Sequence, residues 1–272
     1  MDHNETVTIS IGLPTYNRAS LLPRAIESIL SQTFIDFELI IVDDGSTDRT
    51  KKVIDSFHDA RVRYIRHETN KGLMASRNAA VRASRGKYLA FQDSDDWWHP
   101  QKLTEEVALL ENAPLSVGAV YSQIEKRYRN GRALLFPSAP LVAEDPISSF
   151  LEGGYLITLQ AVLMRRACIK TVGMFDEAFT VFGDAEFIIR LAARYQLLYN
   201  AHVRAYLEVQ PDSISRNKRE RLRAREYLFK KHKKIFDQYP SARKVFAHKL
   251  AKSFAIRGEW KKAMTYGFLS IF

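Results

Sequence analysis

The chain has 272 residues, of which 46% are hydrophobic, so it can bury a large core in one domain or in one domain with an appendage. Its single cysteine excludes an internal disulfide and a cysteine-based zinc cluster. The net charge is +10, but residues 213–272 carry 17 Lys and Arg against 4 Asp and Glu, so the excess lies near the C-terminus. With neither a leader pattern nor a run of roughly 18 apolar residues, we expect a cytoplasmic protein.

Strand and helix patterns alternate through the first 112 residues. Apolar residues alternate with polar ones in the first strand, and the later strands are short apolar runs, each followed by a helical pattern. Such repeated alternation with short connections predicts an α/β fold with a doubly wound, mainly parallel sheet. The predicted strands are 7–13, 37–42, 62–65 and 88–91.

The pattern becomes less regular after Pro114. Strands are predicted at 119–121 and 161–164, a loop at 130–146, and a helix beginning at Asp184. From residue 216 onward the sequence is helical and basic. We therefore predict a domain over 1–215, with a nucleotide-binding half at about 1–112 and an acceptor half at about 113–215, and a basic helical extension over 216–272.

Polar segments close three of the predicted strands. They are Pro14-Thr15-Tyr16-Asn17, Asp43-Asp44-Gly45-Ser46 and Gln92-Asp93-Ser94-Asp95-Asp96. The carboxyl ends of parallel strands meet at one edge of a sheet, where open α/β sheets bind ligands. The sequence therefore predicts an acidic, metal-capable site at that edge.

Together with Phe175-Asp176-Glu177 and Gly183-Asp184, these segments resemble the family 2 glycosyltransferases of the GT-A fold over about residues 7–215. The resemblance implies an inverting transfer of a sugar from a nucleotide-diphospho-sugar to an acceptor hydroxyl. Uridine diphosphate is the default nucleotide of the family. The acceptor is expected to be a saccharide or a lipid-linked saccharide of cell-surface polysaccharide synthesis.

The resemblance assigns the nucleotide-sugar to residues that follow the strands and to an arginine early on the third helix. A tyrosine offers a stacking face, and a carboxylate can accept from a base N–H or a ribose hydroxyl. Alternatively, Asn17 and Asp44 shape turns, Tyr16 packs, and Arg77 forms a surface ion pair. The assigned residues are Pro14, Tyr16, Asn17, Asp44, Arg77 and Asp95.

The resemblance makes Asp96 the ligand of a divalent cofactor, Mn²⁺ or Mg²⁺. An ion that bridges two phosphates needs only one or two protein carboxylates. Many members of the family carry a histidine at the position of residues 209–212, which this chain lacks. Ser213, Ser215 and Arg216 remain candidates for a lid that closes over the diphosphate and limits donor hydrolysis.

Asp184 matches the position of the family's general base, which must relieve the acceptor hydroxyl of its proton. Relatives usually carry Glu-Asp at this point, whereas this chain has Gly183-Asp184. The alternative interpretation is a helix N-cap, a role that aspartate fills well.

The basic extension over 216–272 is either a solvated helical surface or a surface attracted to anionic lipid, which would place the protein peripherally at the inner face of the membrane. Nucleic acid is disfavoured because no nucleic-acid-binding motif accompanies the charge. Apolar residues such as Trp260 and Phe268 leave open an interfacial anchor, a contact in a homo-oligomer or a cap on the core. The competing functions are a sugar-nucleotide nucleotidyltransferase and a non-catalytic basic protein that binds membrane or nucleic acid.

Overall fold

A computed structural model describes residues 7–137, 147, 150, 151, 157–210 and 217–271. The strands are β1 (Ile9–Thr15), β2 (Phe37–Asp43), β3 (Val62–Arg66), β4 (Tyr88–Phe91), β5 (Trp97–Trp98), β6 (Val117–Arg127), β7 (Ala133–Phe136), β8 (Val162–Arg165) and β9 (Gln196–Glu208). The helices are α1 (Leu22–Leu30), α2 (Thr50–Asp55), α3 (Leu73–Ala83), α4 (Lys102–Glu111), α5 (Cys168–Val172), α6 (Gly183–Ala192), α7 (Lys218–Lys231), α8 (Lys233–Gln238), α9 (Pro240–Ala255) and α10 (Trp260–Leu269). A 3₁₀ turn over Leu159–Ala161 precedes β8.

The described strands form one sheet in the order β3-β2-β1-β4-β8-β6-β9-β5, with β7 paired to β6. β1, β2, β3 and β4 run parallel, and β1 is paired with β2 so that Thr15 lies opposite Asp43. Because both strands end there, Tyr16 and Asp44 emerge side by side at the same edge. This register brings the first two polar segments together.

The α/β class with helices flanking the sheet is confirmed, but beyond β4 the sheet is mixed rather than mainly parallel. β8 is antiparallel to both β4 and β6, and β5 is antiparallel to β9, whereas β6 and β9 are parallel. Antiparallel pairing needs no helical crossover, which is why the sequence after Pro114 lacks the regular alternation of the first half.

Both faces of the parallel half are covered. Along β2, Ile40 and Val42 belong to one hydrophobic cluster, while Leu39 and Ile41 belong to another on the opposite face. This arrangement explains why β2 is a continuous apolar run rather than an alternating one. The sheet is thus held rigidly beneath the polar edge.

The C-terminal helices pack on the sheet domain through apolar side chains. Leu228 and Phe246 are buried in the same hydrophobic cluster as Phe187 of α6 and Met74 of α3. The predicted boundary at 215/216 therefore separates segments that share a core. It remains a prediction about domain organisation.

Within the part of the chain that the structure describes, no helix is long and apolar enough to cross a membrane.

Candidate active site

A cavity of about 810 Å³ opens at the carboxyl ends of β1, β2 and β4. Its wall contains every predicted site residue that the structure describes. Ser213, Ser215 and Arg216 lie outside the described residues. The predicted residues in the wall are Pro14, Tyr16, Asn17, Asp44, Arg77, Asp95, Asp96 and Asp184.

Asn17 joins the loop after β1 to the loop after β2. Its side-chain oxygen accepts hydrogen bonds from the backbone N–H of Thr47 at 2.8 Å and of Asp48 at 3.3 Å, and its own N–H donates to Ser46 Oγ at 2.9 Å. Its φ of 50° is in the left-handed region, which asparagine tolerates in turns. These contacts support the turn-shaping alternative, while the adjacent Tyr16 is exposed in the cavity wall.

Asp44 is buried and already has several partners. Its carboxylate accepts from the backbone N–H of Lys71 at 2.9 Å and of Gly72 at 2.8 Å, and it lies 2.7 Å from Nδ1 of His67. The residue therefore fixes the start of α3 beneath the cavity. Each carboxylate oxygen has two lone pairs, so a further bond to a ligand is chemically open.

Arg77 is buried, which corrects the alternative of a surface ion pair. Its Nη2 lies 3.0 Å from Oδ1 of Asp93, and 1% of the residue is exposed. Asp93 also accepts a hydrogen bond from the side-chain amide of Gln160. This pair thus fixes the acidic segment against α3, and losing Asp93 would leave the buried charge of Arg77 uncompensated.

Asp96 is the last residue of the acidic segment and is nearly inaccessible to solvent. Its carboxylate accepts from the backbone N–H of Glu208 at 3.1 Å and from Nε2 of Gln160 at 3.2 Å. Burial, followed by the charges of Asp95 and Asp93, raises the pKa of Asp96 well above its usual range. The ionised form is therefore costly unless a positive charge comes close.

The donor set around Asp96 fits a cation that takes most of its ligands from a substrate. Among the described residues, no three His, Cys, Asp or Glu side chains form a group that could hold an ion alone. Oε1 of Gln160, whose Nε2 bonds to Asp96, is buried in the wall without a hydrogen-bond partner in the described structure. An orphaned oxygen beside a carboxylate is a suitable ligand for Mg²⁺ or Mn²⁺.

Asp184 occupies the second position of α6, where its Oδ1 accepts from the N–H of Ala185 at 2.8 Å. Burial raises the pKa of Asp184; the charge of Arg77 opposes this shift and that of Asp93 adds to it. A raised pKa increases the basicity of the ionised carboxylate, which suits proton abstraction.

Asp184 and Asp96 share one cavity. The charge of Asp93 raises the pKa of both carboxyls, so both are within its electrostatic reach. They come from chain segments 88 residues apart. The fold therefore places both carboxylates, one at the end of a strand and one at the start of a helix, in the wall of the same cavity.

Sequence reasoning missed three residues around the acidic segment. Gln160 comes from the 3₁₀ turn, and Glu208 ends β9, a strand that was not predicted; Arg24 of α1 pairs with Glu208 at 2.7 Å and donates to the carbonyl of Asp95 at 2.8 Å. Their signals are weak, because a glutamine in a turn and a terminal glutamate are common surface features.

Two arginines of the basic extension also line the cavity. Arg221 and Arg225, four residues apart on α7, place their guanidinium carbons 5.6 Å and 5.4 Å from the ring centroid of Phe182. The extension is thus more than a solvated surface or a lipid-facing patch, the two alternatives that charge alone indicated. The spacing of four residues could have placed both arginines on one face of a helix. It could not have shown that this face lines the cavity.

A model of the family described as glycosyl transferase family 2 matches residues 10–172. The match includes Asp44 and Asp96 and ends before Asp184. The chain is 28% identical over 260 residues to WcaA of Escherichia coli strain K12, named for a glycosyl transferase of colanic acid biosynthesis, and the match covers 88% of this chain and 86% of WcaA.

A second relative is WfaP of Escherichia coli, named a UDP-Glc:alpha-D-GlcNAc-diphosphoundecaprenol beta-1,3-glucosyltransferase. It is 35% identical over 120 residues, which cover 44% of this chain and 48% of WfaP, so this match spans about half of each protein.

The fold is shared with the mannosyltransferase PcManGT of Pyrobaculum calidifontis, solved in complex with GDP-Man and Mn²⁺. The TM-score is 0.66 at 17% identity, with 97% of this chain and 74% of the other covered. With the family match over more than half of its length, the chain belongs to glycosyl transferase family 2 and is a glycosyltransferase of the GT-A fold.

Proposed function

We propose that the protein transfers a sugar, with inversion, from a nucleotide-diphospho-sugar to a hydroxyl of a saccharide or lipid-linked saccharide in cell-surface polysaccharide synthesis. The observation that carries the proposal is the convergence of Asp96 and Asp184 on one cavity. The names of WcaA and WfaP support the acceptor class, and that of WfaP supports UDP as the nucleotide and a diphosphate-linked lipid as the acceptor's carrier.

The donor nucleotide is proposed to lie along the loops after β1 and β2. Tyr16 offers an exposed ring for the base, and Asp44 offers the remaining lone pair of its Oδ2 to a base N–H or a ribose hydroxyl. Arg77 acts indirectly, because its guanidinium fixes Asp93 instead of reaching into solvent.

Asp96 is proposed to hold a divalent ion, Mn²⁺ or Mg²⁺, with Asp95 beside it and Oε1 of Gln160 as a further oxygen. The structure of PcManGT with Mn²⁺ supports the cofactor class. When bound, such an ion neutralises charge on the departing diphosphate.

Asp184 is proposed as the general base. Its carboxylate takes the proton of the acceptor hydroxyl while that oxygen bonds to the anomeric carbon. The bond from the anomeric carbon to the diphosphate oxygen breaks, and its electron pair leaves with the nucleoside diphosphate. Because attack and departure occur on opposite faces of the sugar, the configuration inverts.

The lid assigned to Ser213, Ser215 and Arg216 remains a proposal. These residues follow β9, whose last residue, Glu208, lines the cavity. Such a lid would limit hydrolysis of the donor.

We further propose peripheral attachment at an anionic membrane, at its inner face, through α10. Trp260, Met264 and Phe268 are spaced four residues apart on this helix and are 64%, 69% and 63% exposed, whereas Ala263 and Tyr266 on its other side are buried. An apolar stripe on a basic helical segment suits the headgroup region of a bilayer. Self-association through the same stripe is the competing explanation.

The function is tested by a screen of nucleotide-sugars for thermal stabilisation with and without Mn²⁺, followed by transfer assays with the stabilising donor. A ligand that binds the native state raises the melting temperature. We expect stabilisation by one nucleotide-sugar, strengthened by the metal, and release of the nucleoside diphosphate. Release of pyrophosphate from a nucleoside triphosphate and a sugar phosphate would instead establish nucleotidyl transfer.

A further inference from the structure

Arg24 of α1 contacts the residues on both sides of Asp96. Its Nη2 donates to the carbonyl oxygen of Asp95 at 2.8 Å, and its guanidinium carbon lies 3.9 Å from the ring centroid of Trp97. Stacking on an aromatic ring holds a planar guanidinium in one orientation. Arg24 therefore fixes the chain immediately before and immediately after Asp96.

The same nitrogen of Arg24 reaches Asp96 by a second route, through the end of β9. Nη2 also lies 2.7 Å from Oε2 of Glu208, and the backbone N–H of Glu208 donates to Oδ1 of Asp96 at 3.1 Å. Together with the bond to Asp95, these contacts form a closed ring that begins and ends at Arg24 and includes Asp96. Such a ring constrains the backbone of Asp96 and its carboxylate at the same time.

Arg24 itself lies outside the cavity wall, whereas Asp96 belongs to it. The side chain of Arg24 is partly exposed, and its charge is already paired with that of Glu208. A donor in the cavity would therefore meet Asp96 and not this guanidinium. We expect any effect of Arg24 on ligand binding to pass through the residues that it holds.

The orientation of Asp96 matters because few other protein groups are available to a cation there. Among the described residues, no three His, Cys, Asp or Glu side chains form a group that could hold an ion. An ion that takes most of its ligands from a diphosphate depends on the direction of the one or two carboxylates that the protein supplies. Replacing a residue that orients such a ligand typically lowers metal affinity by about 10–100-fold.

We propose that Arg24 is a positioning residue that holds the carboxylate of Asp96 in the orientation in which it binds a divalent ion. The inference rests on the proposed function, because it takes Asp96 as the ligand of that ion. It adds to the site a residue of α1, a helix that contributes nothing to the cavity wall.

The charge of Arg24 and its contacts predict opposite effects on cation binding. A positive charge opposes the binding of a cation nearby, so a neutral residue at position 24 would strengthen cation binding if charge alone mattered. Loss of the ring would instead let the carboxylate of Asp96 turn away and would weaken cation binding. The sign of the change therefore separates a positioning residue from a remote charge.

The test compares Arg24→Gln with the control Arg61→Gln. Arg61 makes the same three kinds of contact away from the cavity wall. It pairs with Asp59 at 2.8 Å, donates to the carbonyl oxygen of Leu30 at 3.2 Å, and lies 4.4 Å from the ring centroid of Phe37. Calorimetric titration measures the affinity of each protein for UDP, without metal and at one fixed concentration of Mn²⁺. Melting temperatures verify that both variants are folded.

The wild type and Arg61→Gln are expected to bind UDP more tightly with Mn²⁺ than without it, and by the same factor. In Arg24→Gln this factor should fall by about tenfold or more. The affinity of Arg24→Gln for UDP without metal should stay within about twofold of the wild-type value, since no contact of the nucleotide is removed. A general loss of structure would lower both affinities together.

Three results would overturn the positioning role. An unchanged effect of Mn²⁺ in Arg24→Gln would show that Asp96 keeps its orientation without the ring, and a larger effect would reduce the arginine to its charge. An equal loss in Arg61→Gln would make the effect a general consequence of lost contacts. A wild type whose affinity for UDP does not respond to Mn²⁺ contradicts the proposed metal site instead, and the role of Arg24 with it.

Discussion

The surroundings of Asp184 are set by a single missing side chain. A Cβ on Gly183 would lie 2.2 Å from Sδ of Met74, which is itself buried against the first turn of α6. A side chain at position 183 would therefore require Met74 to move. The glycine suits this close packing, and Asp184 beside it lies in the cavity wall.

Replacing the candidate base tests its role directly. Asp184→Asn keeps the size of the side chain but removes its proton-accepting oxygen, so transfer should slow by about 10²–10⁴-fold, the range for a lost general base. Affinity for the donor nucleotide should remain within about twofold of wild type. Single-turnover transfer and nucleotide titration measure the two effects.

Glu177→Gln is the matched control, because Glu177 is a nearby acid that bonds to Asn78 at 2.7 Å and lies outside the cavity wall. Its transfer rate should stay close to that of the wild type. Transfer at the wild-type rate by Asp184→Asn would eliminate this residue as the base.

The contact between Gly183 and Met74 predicts a stability effect. Gly183→Ala should lower the free energy of unfolding by about 1–3 kcal/mol, the usual cost of overpacking, because Met74 must move within the core. Gly267→Ala in α10 is the control, since its added Cβ meets no atom within 4 Å. Chemical denaturation of each variant gives the values.

Coupling between the two residues identifies the cause. In Gly183→Ala/Met74→Ala the clash is absent, so the double variant should be less destabilised than the sum of the single variants. Strict additivity would show that the alanine acts through something other than Met74.

The individual acids of the site could be proposed from the sequence because they lie at the ends of predicted strands and helices. The residues that form hydrogen bonds with them could not. Asp44, Asp96 and Asp184 follow from motifs at predicted element ends. The bond from Gln160 to Asp96 and that from His67 to Asp44 depend on how distant loops return to the edge of the sheet. No local pattern in the sequence encodes those paths.

At the scale of elements, α6 and α7 are joined through one buried glutamate. Glu186 lies 2.8 Å from Arg190 and Lys231 and 2.9 Å from His232, and its side chain has no exposed surface. The helix that carries the candidate base is thereby tied to the helix that carries Arg221 and Arg225. Burial opposes ionisation of Glu186, yet hydrogen bonds from His232, Arg190 and Lys231 lower its pKa to about 2.

This lowered pKa predicts an acid-sensitive contribution to stability. A carboxyl with a pKa near 4.5 in the unfolded chain and about 2 in the folded chain stabilises the fold fully above the first value and progressively less as the pH falls toward the second. The difference is on the order of 3 kcal/mol. The free energy of unfolding of the wild type should therefore fall more steeply with decreasing pH in this window than that of Glu186→Gln.

Denaturant titrations at several pH values measure both slopes. Asp237→Asn is a suitable control, because Asp237 forms exposed ion pairs with Lys233 and Arg243. Their loss should change the free energy of unfolding very little. If the free energy of unfolding depends on pH in the same way for the wild type and for Glu186→Gln, then Glu186 is not the source of the acid sensitivity.

Elements with a strong local pattern were predictable, and elements fixed by long-range pairing were not. Residues 37–42 read as a strand because both faces are buried. By contrast, β5 contains only Trp97 and Trp98, and it exists because they pair with Tyr206 and Ala205 of β9. A two-residue strand has no period to detect, and β9 itself shows no regular alternation of burial, since Ala201 and His202 are exposed between the buried Asn200 and Arg204.

At the scale of the whole molecule, the basic C-terminal helices contribute to the wall of the candidate site. The basic helices share the core of the sheet domain, and one of them supplies two arginines to the cavity. The excess of Lys and Arg in residues 213–272 thus lies partly in the wall of the cavity and partly on the outer surface. Composition predicted the positive charge of the extension. It could not predict which basic residues line the cavity and which face solvent, because that depends on which face of each helix packs on the domain.

The outward face of α10 predicts membrane binding that depends on apolar contact as well as charge. Trp260→Ser/Met264→Ser/Phe268→Ser removes three exposed apolar side chains and should reduce binding to vesicles rich in anionic lipid by about tenfold or more, given the free energy of burying such groups. Cosedimentation with the vesicles measures the bound fraction of each protein.

The double variant Ile35→Ser/Leu115→Ser controls for exposed apolar surface elsewhere, since these side chains are 75% and 79% exposed and lie outside α10. It should bind vesicles as the wild type does. If the stripe instead joins two copies of the chain, light scattering will show a dimer that the triple variant dissociates, with vesicle binding unchanged. The two outcomes separate because lipid binding responds to the anionic fraction of the vesicle, whereas self-association responds to protein concentration.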